Sequence, residues 1–88
     1  MSDTEALNRL AVSPSGFVFD PMTGATYSVN DTGLVILEGL RKGDGLAEIR
    51  DALSEAFATD MADTRRDILE FVRLLCEQGL LPHTFEVA

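Results

Sequence analysis

Two side chains carry the intrinsic chemistry of a nucleophile or a proton carrier near neutral pH, Cys76 and His83, and each is the sole residue of its type. Cys76 falls inside an apolar helical run and reads as a small, half-buried thiol. His83 follows Pro82 in a tail and reads as an exposed side chain. Nucleophilic catalysis needs a base within reach of the nucleophile, and a metal site needs several convergent ligands. Neither arrangement assembles from this pair. The 15 acidic residues are spread over helix faces, where they read as a solvated surface instead of a paired acid and base. Lys42-Gly43-Asp44-Gly45 lacks the spacing of a phosphate-cradling loop, and Asp20-Pro21-Met22-Thr23-Gly24 lacks the alternating ligands of a calcium loop. Both are turns on this reading. The expectation is a protein with no catalytic residue, no cofactor and no metal, hence a binder and not an enzyme.

The charge narrows what it binds. A net charge of −8 opposes non-specific attraction to nucleic acid or an anionic membrane, since both depend on clustered Lys and Arg. The segment MSDTEALNRL has no apolar region of the kind a signal peptide needs, and no stretch approaches the roughly 20 apolar residues that cross a bilayer. A single cysteine forms no internal disulfide. These features together predict a cytoplasmic protein. At 88 residues and 45% hydrophobic content the chain has material for one small core.

The elements that would position a binding surface are legible in order. Residues 1–6 read as a flexible N-terminus, 7–81 as a single domain, and 82–88 as a C-terminal tail. A first strand runs from Leu7 through Leu10, Ala11 and Val12 to the turn formers Ser13-Pro14-Ser15-Gly16. Phe17-Val18-Phe19 is a second, and Ala25-Thr26-Tyr27-Ser28-Val29 alternates with period two as a half-buried third. Asn30 stands where a helix N-cap belongs. The first helix reaches about Arg41 on a stripe of Leu34, Leu37 and Leu40 with Val35 or Ile36, and Gly33 lets its first turn lie close to the sheet. Leu46, Ile49, Leu53 and Phe57 define a second helix. A third and longest begins near Asp60, which can cap it with Asp63 adding charge in its first turn, and stops at Gly79. Ile68, Phe71, Val72 and Leu75 are its core stripe, and Leu80 and Leu81 tuck beneath the domain. The fold class is α+β and winged-helix-like: a three-stranded antiparallel sheet followed by three helices.

Strands with three helices also describe a DNA-binding winged helix. Its recognition helix would carry Asp60 and Asp63 toward phosphates, which is the wrong sign, while Arg66 has Asp63 and Glu70 within pairing distance along the helix.

The order of signals resembles another family. Gly16-Phe17-Val18-Phe19-Asp20, Thr23-Gly24, Tyr27-Ser28-Val29-Asn30, Thr32-Gly33-Leu34 and Ile36-Leu37 are followed by the Lys42–Gly45 turn, Leu46 to Ile49, Arg66-Asp67-Ile68-Leu69-Glu70-Phe71 and Gly79-Leu80-Leu81. Over residues 10–81 this set resembles the PqqD-like family, the recognition elements for ribosomally made, post-translationally modified peptides. The resemblance implies a stand-alone peptide chaperone that holds a precursor's leader and presents it to a modifying enzyme. Within the family the pyrroloquinoline quinone, lasso-peptide and HPr-kinase-related branches stay open. It also implies that the leader adds as a strand to the third strand, Ala25, Thr26, Tyr27, Ser28 and Val29, beside the last helix.

On that helix, the flank about 100° from the core stripe holds Arg65, Leu69, Arg73 and Cys76, an apolar strip with two cations. These nine residues are the candidate peptide-binding set. The opposite flank, with Asp67 and Leu74, is the alternative, because sequence does not fix the helix's roll over the sheet. Tyr27 suits either the core face or the edge. A structural subunit docking on an enzyme, and a monomer or an edge-paired dimer, also remain open at this stage.

Overall fold

The computed structural model describes residues 4–57 and 61–87, with backbone only for 61–63. The order is α1 (Glu5–Asn8), β1 (Ala11–Val12), β2 (Phe17–Phe19), β3 (Thr26–Ser28), α2 (Asp31–Lys42), α3 (Leu46–Phe57) and α4 (Met61–Glu77). The three strands form one antiparallel sheet in the order β1-β2-β3. The expected sheet followed by three helices is therefore present, preceded by a helical turn that was not expected.

That turn corrects the reading of Leu7 to Val12 as one strand. In a strand, Leu7 and Leu10 would point to opposite faces, because they are an odd number of residues apart. Instead the helical turn ends at Asn8 and the chain folds back, Leu10 N donating to Leu7 O at 3.3 Å, so that both leucines are buried. Only Ala11 and Val12 remain to pair with Phe19 and Val18. The turn also takes up Glu5 and Ala6 from the stretch read as a loose end.

Bidentate contact between Arg9 and Asp20 ties this segment to the start of the β2–β3 turn. Arg9 Nε donates to Oδ1 and Nη2 to Oδ2, each at 3.1 Å, and Met22 N donates to Oδ1 at 2.9 Å. Asp20 is buried, so these bonds offset the desolvation of its charge.

Asn30 caps α2 as expected, its Oδ1 accepting from Gly33 N at 2.8 Å. At the other end Gly43 adopts φ +83° and returns its N–H to Leu40 O and Gly39 O. The buried stripe of α2 is Gly33, Ile36, Leu37, Gly39 and Leu40, so Leu34 lies off the core centre where the sequence had put it. α3 buries Ile49 and Leu53 but leaves Phe57 exposed at its last turn. Glu48 reaches back to Gly45 N at 3.3 Å, half of a capping box. α4 buries Ile68, Val72 and Leu75 with Phe71 half-buried, and also Thr64, which no periodicity had marked. The cap assigned to Asp60 and the side-chain charge assigned to Asp63 lie outside the described residues.

Leu80 and Leu81 close the core from below, and Phe85 and Val87 of the tail pack against it. Among the described residues no helix is long and apolar enough to cross a membrane.

Candidate functional site

Backbone geometry decides which groups of β3 are available. Its register with β2 is Phe17 to Ser28, Val18 to Tyr27 and Phe19 to Thr26. Just beyond each end, Val29 N donates to Gly16 O at 2.8 Å and Asp20 N to Ala25 O at 2.9 Å. Successive residues of an antiparallel pair alternate between bonding across the ladder and turning away from it. Positions 25, 27 and 29 therefore bond toward β2, while Thr26 and Ser28 direct their N–H and C=O away from it. β3 is the last strand of the sheet, so those groups form an open edge.

Side chains sort oppositely. Thr26 and Ser28 are exposed, and Ala25, Tyr27 and Val29 are half-buried toward the helices. Tyr27 and Val29 pack against the core, which settles Tyr27 on the core face.

Between this strand and α4 lies an apolar groove of about 340 Å³. Tyr27, Ser28, Val29 and Asn30 form one wall, and Phe71, Leu74, Leu75 and Gln78 form the other. Leu10, Val18, Leu37 and Leu80 supply the floor. Gly33 sets how closely the walls meet: a Cβ there would stand 3.2 Å from Phe71 Cε1 and 3.2 Å from Val29 Cβ. The expected close approach of the first turn of α2 is thus to the end of β3 and to α4 together. A shallower hollow continues past Asn30 and Thr32, over Gly33, Ile36, Phe71 and Leu74, with Asp67 and Glu70 on its α4 side.

The sequence-predicted residues separate into two groups. Tyr27, Ser28 and Val29 line the groove, with Ala25 and Thr26 continuing the same strand. Arg65, Leu69 and Arg73 do not meet them. They line a different depression on α4 with Arg66 and Glu70, and Arg73 pairs with Glu77 at 3.3 Å. Cys76 is half-buried, packs on the core and directs its Sγ to Pro82 O at 3.4 Å. The flank facing β3 is the alternative one, represented by Leu74, together with Phe71 and Gln78, which sequence reasoning did not assign to a site. The i, i+3, i+4, i+7 spacing of Phe71, Leu74, Leu75 and Gln78 is a signal in the sequence, but Leu69 and Cys76 form a rival strip, flanked by two cations, which the sequence reading preferred. Among the described residues no group of three or more His, Cys, Asp or Glu is placed to hold a metal ion.

A three-stranded antiparallel sheet whose last strand lies open beside an apolar groove, with a helix as the far wall, defines a winged-helix-like α+β module. The particular family follows from comparison. The family model of Coenzyme PQQ synthesis protein D (PqqD) matches residues 16–81, and the chain belongs to that family. Among solved structures it is similar to TbiB1 in complex with the TbiA(beta) leader peptide, with a TM-score of 0.72 and 24% identity over 88% of this chain and 91% of that one. It is also similar to lasso peptide synthetase B1 complexed with the leader peptide, with a TM-score of 0.67 and 28% identity over 80% of this chain and 84% of that one. No curated protein matches the chain.

Proposed function

We propose that this protein is a non-catalytic, cytoplasmic recognition element that binds the leader of a ribosomally made precursor peptide and presents it to a modifying enzyme. The observation that carries this reading is the free edge at Thr26 and Ser28 running beside the apolar groove between β3 and α4. An extended peptide added there gains backbone hydrogen bonds from the edge, which are blind to sequence. Its alternate side chains enter the groove, which supplies selectivity. Membership of the PqqD family and likeness to two proteins solved with leader peptides support the same ligand class.

The wall on α4 is the flank of Phe71, Leu74 and Gln78. Arg65, Leu69, Arg73 and Cys76 serve another purpose or none in this contact, since three of them line a separate depression and the fourth packs on the core.

The test is titration of a labelled precursor peptide encoded beside the gene. Thr26→Pro and Ser28→Pro each delete one outward amide donor from an edge strand that tolerates proline. Each is expected to weaken binding about twofold to tenfold, the net value of one hydrogen bond. Leu74→Glu places a charge against the groove and is expected to weaken it by about tenfold or more, whereas Leu69→Glu leaves it unchanged. Loss of binding in Leu69→Glu with full affinity in Leu74→Glu would overturn the assignment of the wall. Full affinity in both folded proline variants would overturn pairing at the edge.

A further inference from the structure

The geometry points to the chemistry of the peptide that this groove selects: two bulky apolar side chains on one face of a strand, with a lysine or arginine on that same face at one end of the pair. The inference rests on the peptide-binding reading and extends it to sequence preference. The deep part of the groove is lined by apolar side chains with Ser28, Asn30 and Gln78 as its polar members, and no charged residue contributes to it. A charged side chain entering there would lose its hydration without gaining a partner. The lining changes past Asn30. The floor remains apolar through Ile36, Phe71 and Leu74, but the α4 wall becomes Asp67 and Glu70.

Both carboxylates are exposed, and neither makes an ion pair or hydrogen bond with another described residue. They lie three apart on one helix and both line this hollow, Asp67 on this side only and Glu70 on the ridge it shares with the depression of Arg65, Arg66 and Arg73, so Asp67 is the less screened of the two. Inward-facing residues of an added strand repeat at intervals of roughly 7 Å, and Glu70 and Asp67 lie about 6 Å and about 10 Å along α4 from Leu74, so the next inward position beyond Leu74 arrives at this lip. A long basic side chain suits it on two counts: its methylenes lie on the apolar floor while its charge reaches the carboxylates. The protein's net charge of −8 works in the same direction at longer range, speeding encounter with a basic segment.

Selection from a displayed library of random strand-length peptides tests this with the intact chain. Enriched peptides are expected to carry apolar residues at alternate positions and a Lys or Arg on the same face at one end of the pair. An enriched peptide should bind Asp67→Lys/Glu70→Lys about threefold to tenfold more weakly at low salt. Selection on that variant should no longer enrich the basic residue. Asp67→Asn/Glu70→Gln, which keeps the shape, serves if charge reversal disturbs folding and should show the same loss of preference. Asp51→Lys/Glu55→Lys, on the exposed side of α3, makes an equal change in net charge and should leave the preference intact. If it abolishes the preference as well, the attraction belongs to the whole protein and the local lip is refuted. Enrichment of apolar residues alone, with binding sensitive to Leu74→Glu but indifferent to Asp67 and Glu70, overturns this inference and leaves peptide binding standing. No enrichment of any peptide overturns the peptide reading itself, and enrichment indifferent to Leu74→Glu moves the contact off this wall and overturns the inference drawn from it.

Discussion

Asp20 shows how much of this fold hangs on one buried carboxylate. The hydrogen-bonded Arg9 guanidinium draws its pKa down from 3.8 to about 2, against the opposing effect of burial and with help from Met22 N. A folded-state pKa below the unfolded one stabilises the protein at pH values above about 3.8, and the contribution is lost as pH falls through about 2. Thermal melts at stepped pH should therefore show an acid limb in the wild type that steepens over that interval. Asp20→Asn should melt lower at neutral pH and converge with the wild type near the bottom of the interval. Parallel melting curves at every pH would refute the linkage. Sequence offered Asp20 as a turn residue and left Arg9 inside the first strand with no role. Their meeting depends on a helical turn that hydrophobic spacing alone did not announce.

Among the three long helices, the start of α2 was the most legible feature and the roll of α4 the least, for a physical reason. Asn30 has a side chain of the right length to bond an orphan amide, and the apolar run after it has a helical period, so the start of α2 is written locally. Replacing Asn30 by Ala should cost about 1 kcal/mol in urea unfolding, and Asn30→Ser should recover most of it. An Ala variant as stable as the wild type would show that α2 is held by packing alone. The roll of α4 is not local information. Its two flanks each offer a leucine, Leu69 or Leu74, and both are exposed at 42% and 49%. What accompanies Leu74's place beside β3 is the close approach of Phe71 to Gly33, where a Cβ would stand 3.2 Å from Phe71 Cε1, a meeting of two segments distant in sequence. The strand edge, by contrast, followed from alternation within one segment, so that half of the candidate site was readable and the helical wall was not.

For the molecule as a whole, the working groove is not confined to the segment that defines the family. The family match begins at residue 16, yet Leu7 and Leu10 precede it and are 0% and 4% exposed in the common core. They have different neighbours in function. Leu10 forms part of the groove floor with Val18 and Leu80, whereas Leu7 does not line it. A chain of this length has roughly 4 to 13 kcal/mol of stability in total. Truncating either leucine to alanine should remove about 2 to 5 kcal/mol, a large fraction of it. The two variants should then part company in binding. With both kept well below their melting temperatures, Leu7→Ala should bind precursor peptide like the wild type, because its cavity lies away from the groove. Leu10→Ala should bind several-fold more weakly, because the floor against which the peptide's side chains pack has receded. Isothermal titration at a temperature where both are folded by circular dichroism separates the effects. Equal losses of affinity in the two variants would mean that the N-terminal segment serves stability alone and that the floor of the groove ends at Val18.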